Sequence, residues 1–135
     1  MLTNPATSPS PSRSSNAVSI LGLGIDVVEI ARFEHAVTRS PGFVERVFTV
    51  DERNRSTASL AARWAAKEAL AKALASPGGL NWHDAEVVSE ASGKPTLVVR
   101  GTVAARAAEL GITHFHLSLS HDAGIASAVV IGEGA

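Results

Sequence analysis

Apolar residues alternate from the first stretch with a clear pattern. From Ala17 to Ile25 the spacing predicts a strand, with Val18, Ile20, Gly22, Gly24 and Asp26 on one face. Two glycines inside a strand point to a neighbour that approaches the backbone closely. The period then becomes helical. Ile30, Phe33 and Val37 predict a turn and short helix over Val27 to Thr38, broken by Pro41-Gly42, and Phe43 to Phe48 reads as a further helical turn. Thr49-Val50-Asp51-Glu52 has the form of a capping box, with Thr at the N-cap and Glu at the third helical position.

Leu60 to Ala75 is the strongest predicted helix, dense in good helix formers and ended by Ser76-Pro77-Gly78-Gly79. Ala85 to Glu90 and Thr96 to Arg100 read as strands around the turn Ser92-Gly93-Lys94-Pro95. Thr102 is placed to cap a helix running to Leu110, with Gly111 at C′. His114 to Ser120 alternates again, Asp122-Ala123-Gly124 turns, and Ile125 to Ile131 closes the series. Strands and helices that do not strictly alternate predict an α+β fold with an antiparallel sheet.

The 135 residues suit one domain, predicted over 17–135, behind a Ser/Pro-rich flexible tail over 1–16. The tail lacks the basic start and apolar middle of a signal peptide. No apolar run reaches membrane-spanning length, so no membrane partner is expected. A net charge of -1, with two Trp, four Phe and no Tyr, argues against a nucleic-acid platform. The chain has no cysteine, which excludes disulfides and thiolate zinc sites and fits a reducing, cytoplasmic setting.

Candidate chemistry centres on Asp26, at the end of an apolar strand, and Glu68, inside the alanine-rich helix. On a helical projection Leu60, Trp64, Ala71 and Leu74 form one stripe, with Lys67 near its middle and Glu68 at its edge. Two readings stand. Glu68 and Lys72 at i,i+4 can be a surface ion pair worth about 0.2–0.5 kcal/mol. Alternatively the charges meet a ligand or a cation, since burying an unpartnered charge is costly. Asp26 can equally cap the helix that follows. His121 can be an ordinary turn histidine. His116, Ser118 and Ser120 form the polar side of their strand, opposite Phe115, Leu117 and Leu119.

Five blocks together are more specific: Gly24-Ile25-Asp26, Phe48-Thr49-Val50-Asp51-Glu52, Arg63-Trp64-Ala65-Ala66-Lys67-Glu68-Ala69, Gly93-Lys94-Pro95 and Ser118-Leu119-Ser120-His121. With them the chain resembles, from about Ala17 to Ile131, the holo-acyl-carrier-protein synthases, the small bacterial 4′-phosphopantetheinyl transferases. The resemblance implies a 4′-phosphopantetheinyl transferase-like α+β fold: an antiparallel sheet packed with one long helix and shorter helices. It also implies transfer of the phosphopantetheine arm of coenzyme A to a serine of an apo acyl carrier protein, or of a carrier domain in a fatty acid synthase, with 3′,5′-ADP released.

By the same resemblance Asp26 and Glu68 hold Mg²⁺, and Glu68 or a nearby water takes the serine proton. Arg63, Lys67, Lys72, Ser120 and His121 fall to coenzyme A. Arg32, Arg39 and Arg46 fall to docking of the acidic carrier protein. A homotrimer with its site between subunits is implied. One departure is Ser76-Pro77-Gly78-Gly79, where the family commonly has a Gly-Thr-Gly-like loop and where Pro77 removes a backbone donor. Two other readings of the acids remain: a Mg²⁺-dependent hydrolase of nucleotides or coenzyme A, and a carrier-binding module without catalysis.

Overall fold

The computed structural model describes residues 17–135; the predicted tail over 1–16 lies outside the described residues. Strand β1 (Ser19–Glu29) leads into helix α1 (Ile30–Arg39) and short helix α2 (Phe43–Val47). Helix α3 (Thr57–Ala73) follows, then a 3-10 turn (Trp82–Asp84), β2 (Ala85–Ser89), β3 (Pro95–Val99), α4 (Gly101–Glu109), β4 (His114–Asp122) and β5 (Ile125–Gly134). All strand pairing is antiparallel, in a three-stranded sheet ordered β1-β5-β4 and a separate β2-β3 hairpin. The α+β architecture is therefore as predicted, with two sheets rather than one.

Helix α3 is the hub. Ten of its residues are buried, including Leu60, Ala61, Ala65, Ala66, Ala69 and Leu70. Its alanines permit this, because a helix without bulk can lie close to several neighbours at once. Below it, Ala126, Ala128 and Val130 of β5 are almost fully buried. One core cluster joins α3 to α4, β2 and β5; a second joins it to α1 and α2 through Phe33, Val47 and Phe48. Phe33, Phe43, Trp64 and Trp82 continue the second cluster as edge-to-face rings, with successive centroids 5.9, 5.4 and 5.0 Å apart. Each such pair contributes about 0.5–1.5 kcal/mol beyond area burial.

Several boundaries differ from the sequence reading. β1 runs on through Val27 and Val28 to Glu29, because β5 offers partners as far as Ile125. The helix expected from Val27 therefore begins at Ile30. Pairing along β1 also shifts register between Ile20 and Gly22. This bulge breaks the predicted common face: Ile20 is 69% exposed while Gly24 is buried. The capping box opens no helix. Glu52 accepts from the Thr49 amide at 2.9 Å as expected of the motif, but the segment is a turn.

α3 instead starts at Thr57, capped by Ser56, whose hydroxyl accepts from the Ser59 amide at 3.2 Å. At its other end Arg106 donates to the carbonyls of Leu74 (3.0 Å) and Ala75 (3.1 Å). These carbonyls would otherwise be orphans of the last turn. Thr102 lies inside α4, and its amide and hydroxyl both donate to Asp84, at 2.8 and 2.7 Å. Gly111 has φ +77°, the left-handed conformation expected of a C′ residue.

Candidate active site

β1 and α3 bring the two acids together. Asp26, Glu68 and Arg32 line one cavity of about 440 Å³, walled by Phe33, Phe43 and Trp64. Burial, then the nearby Asp26 carboxylate, raises the Glu68 pKa, against a smaller lowering from Lys72. The charge on this pair is thus only partly compensated by the protein. Lys72, on the turn after Glu68, crosses to β1 and donates to Asp26 Oδ1 at 3.1 Å and to the Ile25 carbonyl at 2.9 Å. The sheet pairing explains Asp26: it stands opposite Ala128 within β1, so it does not cap α1, whose N-cap is Glu29.

A second cavity, of about 300 Å³, gathers Arg63, Ser120 and His121 with Ser59, Ser89, Gly93 and Pro95. Arg63 is buried, donating to Ser59 Oγ at 2.6 Å and Ser89 Oγ at 3.1 Å, while its Nε has no protein partner. Burial lowers its pKa, the neighbouring Arg55 adds to this, and Glu52 opposes it. A guanidinium, three serines and a histidine thus line one cavity, a donor set whose chemistry suits an anion. Ser59 and Ser89 were not singled out in the sequence. Ser59 could have been found at i–4 to Arg63 on the same helix, whereas Ser89 arrives only through the β2-β3 hairpin.

Lys67 is not in either cavity. Its ammonium donates to Glu52 Oε1 (2.8 Å) and to the carbonyls of Val47 (2.7 Å), Ala85 (2.8 Å) and Trp82 (3.0 Å), with its side chain fully buried. The other Glu52 oxygen accepts from the Val87 amide at 2.9 Å. All the protons of Lys67 are taken, so the structure corrects its assignment to coenzyme A. It staples the turn before α3 and the start of β2 to the helix.

Arg32 and Arg39 lie along one side of α1 and border a shallow hollow with His35, to which Arg39 hydrogen-bonds at 3.1 Å. Arg46 stands apart from that hollow. It donates to the Pro41 carbonyl (3.2 Å) and to Ser40 Oγ (3.3 Å), fastening its own turn.

The outer face of the main sheet is a further feature. Leu23, Ile25 and Val27 of β1 are 65, 58 and 61% exposed. They stand opposite Ile131, Val129 and Ser127 of β5, which face Ser118 and its neighbours on β4. Among the described residues no helix is long and apolar enough to cross a membrane.

The fold agrees with comparison to known proteins. Residues 22–129 match the model of the 4′-phosphopantetheinyl transferase superfamily, and the chain belongs to that superfamily. Among curated relatives, the holo-[acyl-carrier-protein] synthase of Streptomyces avermitilis is 60% identical, covering 87% of this chain and all (100%) of the relative. That of Streptomyces coelicolor is 61% identical with the same coverage, 87% and 100%. The solved ACPS–CoA complex from Chronobacterium ammoniagenes is 33% identical, covers 89% of this chain and 99% of its own, and superposes with a TM-score of 0.76.

Proposed function

We propose that this chain is a holo-acyl-carrier-protein synthase, moving 4′-phosphopantetheine from coenzyme A to a serine of an apo acyl carrier protein or carrier domain. The serine oxygen forms a bond to the β-phosphorus of the coenzyme A pyrophosphate. The bridging P–O bond breaks, and 3′,5′-ADP leaves with its electrons. The transferred group then serves fatty acid biosynthesis on the carrier.

The observation that carries this reading is the division of polar residues on α3 between two cavities. Arg63 serves an anion pocket with Ser120 and His121; Glu68 serves an acidic one with Asp26. Phosphoryl transfer needs both, one to anchor charge remote from the reaction and one to act at the phosphorus. Asp26 and Glu68 fit Mg²⁺, whose usual protein complement is one or two carboxylates, the rest being water and substrate phosphate. Among the described residues no cluster of three or more metal-binding side chains competes with them. When bound, the ion neutralises developing charge on the pyrophosphate oxygens.

The protein residues divide the remaining work. Lys72, already directed at Asp26, supplies a cation to a substrate phosphate. Glu68, or a water held beside it, is assigned the serine proton. Phe33, Phe43 and Trp64 exclude water from one side of the acidic cavity. Arg32 and Arg39 dock the acidic carrier at the adjoining rim, with Arg46 shaping the turn beside them.

The two cavities of one chain lie on different sides of α3. Glu68 lies five positions after Arg63, about 140° of helix rotation at 100° per residue. One coenzyme A molecule is better served by the anion pocket of one protomer and the acids of the next. That supports a homo-oligomer with the site between subunits, the homotrimer that the family resemblance implies, and the apolar outer face of the sheet is the surface offered for it. A cytoplasmic location goes with this reading, since a chain without cysteine suits a reducing compartment.

Intact-mass measurement of an apo carrier protein, after incubation with the enzyme, Mg²⁺ and coenzyme A, tests the proposal. A gain of one phosphopantetheine group, lost on chelation of the metal, is expected. No gain with either free or multidomain carriers overturns it.

A further inference from the structure

Gly24 and Gly22 of β1 lie against the backbone of α3. Neither has a positive φ, so neither is required for its conformation. What requires them is space. A Cβ on Gly24 would overlap the Ala69 carbonyl oxygen and stand 2.8 Å from its carbon and 2.9 Å from the Ala73 nitrogen. A Cβ on Gly22 would overlap the carbonyl oxygen of Ala73, one turn further along. These are main-chain atoms of a helix buried in two core clusters, and no rotamer change can make room. Gly132 of β5 contrasts with both, because the atoms nearest a Cβ there belong to the Ile112 side chain, from 2.8 Å.

The contact at Gly24 is placed unlike any other on the sheet. Asp26 is two residues along the same strand and on the same inward side. Glu68 is the residue before Ala69. The point of backbone contact therefore flanks both acids, two residues from one and one residue from the other, and Lys72 spans the same seam to Ile25 and Asp26.

We propose that Gly24 is a positioning residue for the divalent cation: its direct contact with the α3 backbone at Ala69 sets the separation of the Asp26 and Glu68 carboxylates. The inference rests on the reading that these acids hold the cation. Mg²⁺ demands oxygen ligands at about 2.0–2.1 Å in near-ideal octahedral geometry, so a small widening of the seam is strongly felt. Supporting groups around a metal site typically control affinity by about 10–100-fold.

The test is cation binding to the full chain in the presence of coenzyme A, read by electron paramagnetic resonance of free Mn²⁺ and by Mg²⁺ titration calorimetry. Gly24→Ala is expected to weaken cation affinity about tenfold or more while the protein remains folded by circular dichroism. Gly132→Ala, which also crowds the sheet, should leave affinity within about twofold. Lengthening one acid supplies a readout that general loosening would not move. Asp26→Glu should weaken the cation in the parent but recover part of the loss in the Gly24→Ala background.

Unchanged affinity in folded Gly24→Ala overturns the proposal, as does an equal penalty for Asp26→Glu in both backgrounds. If Gly24→Ala does not fold, Gly22→Ala wedges the same seam one turn away. A drop of about threefold is then expected, and none at all overturns the proposal. Asp26→Asn separates this failure from failure of the underlying reading: cation binding that survives Asp26→Asn removes the metal assignment itself.

Discussion

Glu52 and Lys67 meet at 2.8 Å with neither side chain exposed to solvent. Three carbonyls and two backbone amides complete the arrangement around them. The desolvation of two charges is thereby matched by hydrogen bonds at nearly every available site, the condition for a buried pair to persist. Burial lowers the pKa of Lys67, and the hydrogen bond and charge of Glu52 act in the other direction.

Lys67→Met should leave Glu52 as a buried, uncompensated acid. We expect a loss of about 3–5 kcal/mol in urea unfolding. Coenzyme A affinity of the molecules that remain folded should change little, because Lys67 reaches neither cavity. A selective loss of coenzyme A binding without loss of stability would return Lys67 to the substrate.

Glu68→Gln and Asp26→Asn should each reduce turnover by at least about 100-fold with the fold retained, since each removes a carboxylate assigned to the proposed cation. Phosphopantetheine incorporation at saturating Mg²⁺ measures this. Full activity in either variant would end the metal assignment.

Glu68 also makes a pH signature. Its folded pKa is raised, so between the ordinary carboxylate range and the raised value the folded chain holds more protons than the unfolded one. Stability contributed at this group is therefore greatest at low pH and falls as pH rises through the raised value. Urea midpoints of metal-free protein across about pH 4 to pH 8 should show this limb, flattened in Glu68→Gln. Added Mg²⁺ should oppose it, by favouring the charged form.

Arg63→Met should weaken coenzyme A by about 10–100-fold, the scale of a charge-assisted hydrogen bond of about 1.5–3 kcal/mol. Carrier-protein affinity should be unaffected. Arg32→Glu should do the reverse, weakening the carrier more than coenzyme A. Surface plasmon resonance with each ligand in turn separates the two.

Ile25→Glu puts a charge in the middle of the apolar sheet face, beside Val129. Light scattering should show a shift from the proposed trimer toward monomer, with activity lost alongside. A variant that stays trimeric would place the subunit contact elsewhere.

Much of this was legible because local pattern carried it. The strand with Gly24 and Asp26, the alanine-rich helix and the final antiparallel strands all follow from period and turn residues. Arg63 and Glu68 were recognisable as motif residues, but not as members of opposite cavities, since that depends on what packs on each side of α3. Lys67 was misread for a related reason. Its partner Glu52 is 15 residues earlier and carried a local capping signature of its own. The length of β1 escaped because Val27 and Val28 fit either a turn or a strand; only the reach of β5 decides between them.

Helix α3 supplies both cavities and the centre of both core clusters, and that joins chemistry to cooperativity. A site carried by loops can breathe while the core stays closed. Here the backbone amides around Glu68 belong to the element that every other layer leans on. They should exchange with solvent only when the whole chain unfolds, on the slowest timescale the molecule has. On the proposed function, adaptation to different carriers falls to the periphery, to α1 and its arginines, while the proposed reacting centre is as invariant in time as the fold itself.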